Sequence, residues 1–166
     1  MITPRASRPV MPAGYGLRDA AAGVGLFPWA RVDERMTAAR NYWLATTRPD
    51  ARPHAMPVWG VWVDGALWFG TDRGSRKARN LAANPAVAVH LESGDDVLIL
   101  EGTAREVHGE ADLAGFDSRY AAKYAVRLAD LPREISVWRV APRTAFAWLE
   151  RDFPGTATRW TIPARS

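Results

Sequence analysis

The dipeptide Asp64-Gly65 constrains this chain more than any other feature. It stands between two alternating apolar runs, His54 to Val63 and Ala66 to Thr71, and that arrangement reads as a tight two-residue β-hairpin. In the first run His54, Met56, Val58, Gly60 and Trp62 share one face, and Ala55, Pro57, Trp59, Val61 and Val63 share the other. Pro57 removes a ladder donor. The strand is therefore expected at an edge or unpaired near this point, which leaves backbone groups free for another partner.

Further strands follow the same logic. Tyr42–Thr47 precedes the hairpin, closed by the turn Arg48-Pro-Asp-Ala-Arg52. Ala86–Glu92, Val97–Val107, Ile135–Trp148 and Thr158–Ile162 follow it. Gly102 suggests a bulge and Pro142 a bend. Helical spacing runs from Trp29 to Arg40 and from Glu110 to Tyr124, where Leu113, Phe116, Tyr120 and Tyr124 align. Arg127–Glu134 reads as a loop and Asp152-Phe-Pro-Gly155 as a turn. Residues 1–27 are rich in proline and glycine without stable periodicity and read as a flexible arm, leaving 28–166 as a single domain. The expected fold is mainly β (α+β): an antiparallel split barrel of six to seven strands with about three marginal helices.

The stretch from Gly70 to Pro85 carries the chemistry. A strand ends in Asp72-Arg-Gly74, and a short helix follows with Ser75 as its N-cap and Asn84-Pro85 as its close. Helical spacing places Arg76, Arg79 and Asn80 on one face, Ala78, Leu81 and Ala82 on the opposite one, and Lys77 at the flank. Arg76 and Lys77 fall in the first turn, where unpaired N–H groups and the helix dipole favour an anion. Lys77 and Lys123 are the only lysines among 22 basic residues. A lysine beside an arginine at a helix start points to a phosphate or carboxylate partner.

Several classes find no support. The net charge of +4 is spread along the chain and mixed with 18 acids, without a nucleic-acid recognition signature. There is no cysteine for thiol or metal chemistry, no Gly-x-Ser-x-Gly elbow and no dinucleotide fingerprint. The histidines, His54, His90 and His108, lack ligand spacing and read as packed or surface imidazoles, so no metal is expected. No apolar run approaches a membrane span, and a cytoplasmic location is expected. Eight tryptophans supply flat apolar walls for a core, an interface or a planar ligand. A flat cofactor with a phosphate suits the whole pattern, with its phosphate at Ser75–Lys77 and its ring along Met56, Pro57, Val58 and Trp59.

The run Arg52-Pro-His-Ala-Met-Pro-Val-Trp59, with Asp64-Gly65, Trp68-Phe-Gly-Thr71, Gly74-Ser-Arg-Lys-Ala78, Leu81 and Asn84-Pro-Ala-Val87, resembles the pyridoxamine 5'-phosphate oxidase-like superfamily. These are split-barrel flavin and deazaflavin oxidoreductases. The resemblance implies F420 or FMN as cofactor, its phosphate on Arg76 and Lys77, Gly70 and Thr71 beside the ribityl chain, and Met56–Trp59 holding the ring through backbone contacts. It also implies a homodimer with the cofactor between subunits. The vitamin B6 oxidases place an arginine at the position of Met56 and a lysine at that of Val61, so this chain departs from them. Lys77-Ala-Arg-Asn-Leu81 is similar to the actinobacterial F420 branch, whose cofactor tail carries carboxylates that Arg48, Arg52, Arg73 and Arg79 would meet. The implied activity is hydride transfer to a small conjugated substrate. An FMN-dependent oxidase or reductase, and a non-catalytic flavin or haem binder, are the alternatives.

Overall fold

In the structure, a computed structural model, Asp64 and Gly65 both adopt positive φ (50° and 70°), as a tight hairpin turn with this dipeptide requires. They join β3 (Pro53–Val63) to β4 (Ala66–Asp72). The structure describes residues 4–19, 24–131 and 134–163.

The other elements are β1 (Arg5–Ser7), α1 (Trp29–Ala38), β2 (Asn41–Thr47), α2 (Arg76–Ala83), β5 (Ala86–His90), β6 (Asp96–Glu106), α3 (Glu110–Tyr124), β7 (Ile135–Leu149), α4 (Phe153–Thr156) and β8 (Thr158–Thr161). The order β7-β4-β3-β2-β5-β6 closes through β6–β7 pairing into a six-stranded antiparallel barrel, with β8 and β1 added beside β7. Closure leaves the barrel strands few free edges. Tyr42, Leu44, Leu67, Phe69, Val89, Leu98, Leu100, Val140 and Trp160 fill it, each at most 1% exposed. Outside the barrel, Phe116, Tyr120 and Tyr124 of α3 cover Val61 and Val137, so the spacing seen in the sequence is the packing face.

Two irregularities shape the molecule. The register of β6 against β7 slips between Glu101 and Gly102, which confirms the bulge. At Gly102 a Cβ would lie 2.2 Å from the carbonyl oxygen of Ala141, so only glycine fits. The second is a change of partner in β3. Pro53–Trp59 pair with β2, whereas only Gly60–Val63 pair with β4. Beyond the crossing, β4 leans on β7 through Gly70, Thr71 and Asp72. The strands therefore splay, and Pro57 lies in the half of β3 with a partner on one flank, as its lost donor suggested.

Side chains pin the crossing at Gly60. The Tyr124 hydroxyl accepts from the Gly60 N–H at 2.9 Å and donates to the Arg40 carbonyl at 2.6 Å. The Lys123 ammonium donates to the Gly60 carbonyl at 3.0 Å and to the Tyr42 hydroxyl at 2.9 Å. Burial, and then the nearby Arg40, lower the pKa of Lys123 from 10.5 to about 8. Between these values the unfolded chain binds the extra proton, so stability rises with pH, and this contribution is lost as pH falls through about 8. Burial raises Tyr42 and Tyr124, which act with the opposite sign only at higher pH. Unfolding midpoints measured from pH 8 to 9.5 should therefore climb less steeply in Lys123→Met than in the parent chain. Equal slopes would remove Lys123 as the source.

The structure departs from the sequence reading in places. Arg5–Ser7, within the stretch read as an arm, forms a strand against β8. Next to it, Arg8 donates to the carbonyls of Ala157 (2.8 Å) and Gly155 (3.0 Å). A three-residue strand among prolines is too short to show alternation. The barrel itself has six strands, within the expected six to seven, with β8 and β1 added to it, and the turn at 152–155 becomes the single helical turn α4. Residues 1–3, 20–23, 132–133 and 164–166 lie outside the described residues, and with them part of the expected arm and of the expected loop at 127–134.

Candidate functional site

The splay between β3 and β4 opens beside the first turn of α2, and the local chemistry there is built by β4. Asp72 accepts from the Gly74 N–H at 2.7 Å and the Ser75 N–H bonds to the Asp72 carbonyl, which folds the loop back. Ser75 caps α2, its hydroxyl accepting from the Ala78 N–H at 3.2 Å. Thr71, 7% exposed, places its hydroxyl 3.1 Å from that of Ser75 and accepts from the Lys77 ammonium at 3.3 Å. Lys77 is half-buried. Desolvation lowers its pKa, and Asp72 offsets part of the shift. Arg76 is exposed and has no ion-pair partner among the described residues.

The helix faces differ in one respect from the spacing argument. Ala78 and Leu81 are buried as expected, but Asn80 is buried too, at 0% exposure. Its amide donates to the Thr46 hydroxyl at 2.9 Å and ties α2 to β2. Asn80 thus stands on the packed side, and Ala82, expected there, is exposed. The Arg79 guanidinium turns back to the Gly74 carbonyl at 2.6 Å and braces the loop.

Of the other arginines read around this corner, two are already neutralised. Arg52 pairs with Asp50 at 2.7 Å, and Arg73 with Glu106 at 2.8 Å and Glu134 at 2.7 Å. Arg48 has no ion pair among the described residues, and its Nε is buried without an acceptor. Such an orphaned donor is costly unless something accepts from it. His54 completes the corner. Its ring Nδ1 lies 3.5 Å from the Thr46 hydroxyl. Burial first, then Arg48, Lys77 and Arg76, lower its pKa and keep it neutral near pH 7. Sequence reasoning treated His54 as a bystander, because Lys77 and Arg76 reach it only across the fold.

The wall of the opening is apolar. Met56 and Trp59 are 45% and 39% exposed, while Val58 turns into the core and offers only its backbone. Trp59 stacks on Tyr124 with ring centroids 4.6 Å apart and planes within 2°, and the Arg40 guanidinium lies 5.4 Å over the same ring. A flat apolar surface is thereby held rigid on the strand that also carries His54. At Gly70 of β4 a Cβ would come within 3.1 Å of Ile135. Two other tryptophans are engaged elsewhere. Trp62 donates to Asp33 at 2.9 Å, and Trp148 meets Phe153 edge-on. Among the described residues no cluster of acids and histidines could hold a metal ion, and no helix is long and apolar enough to cross a membrane.

The family model for pyridoxamine 5'-phosphate oxidase matches residues 29–149. Among solved structures, a conserved hypothetical protein, Rv2991, from Mycobacterium tuberculosis is 25% identical with a TM-score of 0.67, over 84% of this chain and 91% of that one. An F420 reductase is 24% identical with a TM-score of 0.57, over 68% of this chain and 94% of its own. The haem-storage protein of Vibrio cholerae is 19% identical with a TM-score of 0.57, over 68% and 88%. The last two likenesses speak to the fold alone. No curated protein matches the chain.

Proposed function

Because the chain belongs to the pyridoxamine 5'-phosphate oxidase family, we propose that it is an oxidoreductase that holds F420 or FMN in the opening between β3 and β4 and serves hydride transfer to a small conjugated substrate. The observation that carries this reading is the unneutralised cationic corner of Arg48, Arg76 and Lys77, with the buried Arg48 donor lacking an acceptor, set against the Met56–Trp59 flank. Arg76 and Lys77 would take the phosphate with the α2 N-terminus. Backbone groups of Met56–Trp59 would hold the ring edge, and Trp59 would exclude water from one side.

When bound, either cofactor supplies the hydride chemistry in its own ring system. The protein's part is position and polarity. With Arg52 and Arg73 already paired to acids, the remaining cations suit one phosphate with a modest surplus. Both cofactors carry one, so charge alone does not choose between them. The exposed Met56, Pro57 and Trp59 also offer an apolar face for a second copy of the chain, which supports a homodimer with the cofactor at the interface.

Stopped-flow oxidation of the bound, reduced cofactor tests the activity. At least one conjugated acceptor should speed oxidation well beyond the rate in buffer. Tight binding with no acceleration by any acceptor would leave a non-catalytic binder instead.

A further inference from the structure

Six residues along β4 from Thr71, at the hairpin end of the barrel, a cavity of about 150 Å³ is lined by Trp29, Gly65, Thr103, Arg105, Arg139 and Arg143, among others. At the rise of a β-strand this is roughly 20 Å from the α2 corner. No aspartate or glutamate lines it.

Three features concentrate positive charge there. Arg105 of β6 and Arg139 of β7 are direct cross-strand partners, so two guanidinium groups leave the sheet side by side. Arg143 arrives through the bulge. Glu101 pairs with Thr144 and Gly102 with Pro142, so Arg143 is the extra residue. The alternation of β7 slips there, and both Arg143 and Thr144 turn outward. Arg139 lies 5.9 Å over the ring of Trp68. The side chains of Arg105 and Arg143 have no hydrogen-bond or ion-pair partner among the described residues. Trp29 opens α1, whose first turn has neither a side-chain cap nor an acid to offset this charge.

We propose that this cavity is a second anion site, distinct from the corner at α2, which takes a small dianion of the phosphate or dicarboxylate class. A ligand bearing two negative charges bridges the guanidinium groups of Arg105 and Arg143. Arginine forks match both phosphate and carboxylate geometry. Trp29 gives an apolar side for the carbon part of such a ligand. This inference does not depend on the cofactor assignment.

The test follows backbone amide shifts of the full chain during separate titrations with inorganic phosphate and with succinate at low salt. Saturable shifts at Gly65 and Thr103 are expected with at least one of them, and the tighter one names the ligand class. The double variant Arg105→Gln, Arg143→Gln should weaken that response at least tenfold, while Lys77→Ala should leave it unchanged. Shifts confined to Ser75–Lys77, shifts that never saturate, or equal binding by the double variant would overturn the proposal. A second reading needs no ligand. Arg105→Gln should melt at or above the parent's temperature in low salt and gain less from added anion. A lower melting temperature would show that Arg105 serves the fold instead.

Discussion

Gly60→Ala is expected to destabilise the protein by about 3 kcal/mol or more, near the upper end of what single substitutions cost. A Cβ at this position would lie 2.6 Å from the Trp68 carbonyl oxygen and 2.9 Å from Leu67. The first contact is backbone on the paired strand β4, which cannot move without breaking its ladder to β7. The same residue is where β3 leaves β2 for β4, and both of its backbone groups are bonded by Tyr124 or Lys123. Urea unfolding should show the midpoint falling with an unchanged slope. A midpoint within error of the parent would mean that the crossing is not held as tightly as the geometry states.

The second large effect concerns binding. Removing both cations in Arg76→Ala, Lys77→Ala should weaken FMN or F420 by about 100-fold or more, since each charged hydrogen bond is worth roughly 1.5–3 kcal/mol. Arg79→Ala should change affinity far less, because that guanidinium is directed at the Gly74 carbonyl. The substitutions lie on exposed or half-buried side chains, so circular dichroism should remain that of the parent. Equilibrium dialysis separates the cases. Equal loss in Arg79→Ala and in the double variant would point to a general charge effect rather than a phosphate seat.

Much of this was legible in the sequence because it was local. Asp64-Gly65 dictates its turn, Ser75 its cap and Gly102 its bulge, each through a backbone conformation or hydrogen bond within a few residues. The period of Leu113, Phe116, Tyr120 and Tyr124 likewise foretold the packed face of α3. What remained hidden was set across the fold. Asn80 looks like a surface residue until Thr46 comes to meet it from β2. Arg52 and Arg73 look available until Asp50, Glu106 and Glu134 neutralise them. The lowered pKa of His54 depends in part on Lys77 and Arg76 of α2, which approach it only in the folded chain. β1 has no signature of its own and exists because β8 offers it an edge.

The most direct test of the site is hydrogen exchange followed by mass spectrometry, with and without saturating FMN and, separately, F420. The splayed strands and the α2 corner predict protection on binding in peptides covering 53–59 and 70–80, and little change in β5 and β6. Protection elsewhere with none in those two segments, or no protection with either cofactor, would contradict the assignment of the opening between β3 and β4 as the cofactor site.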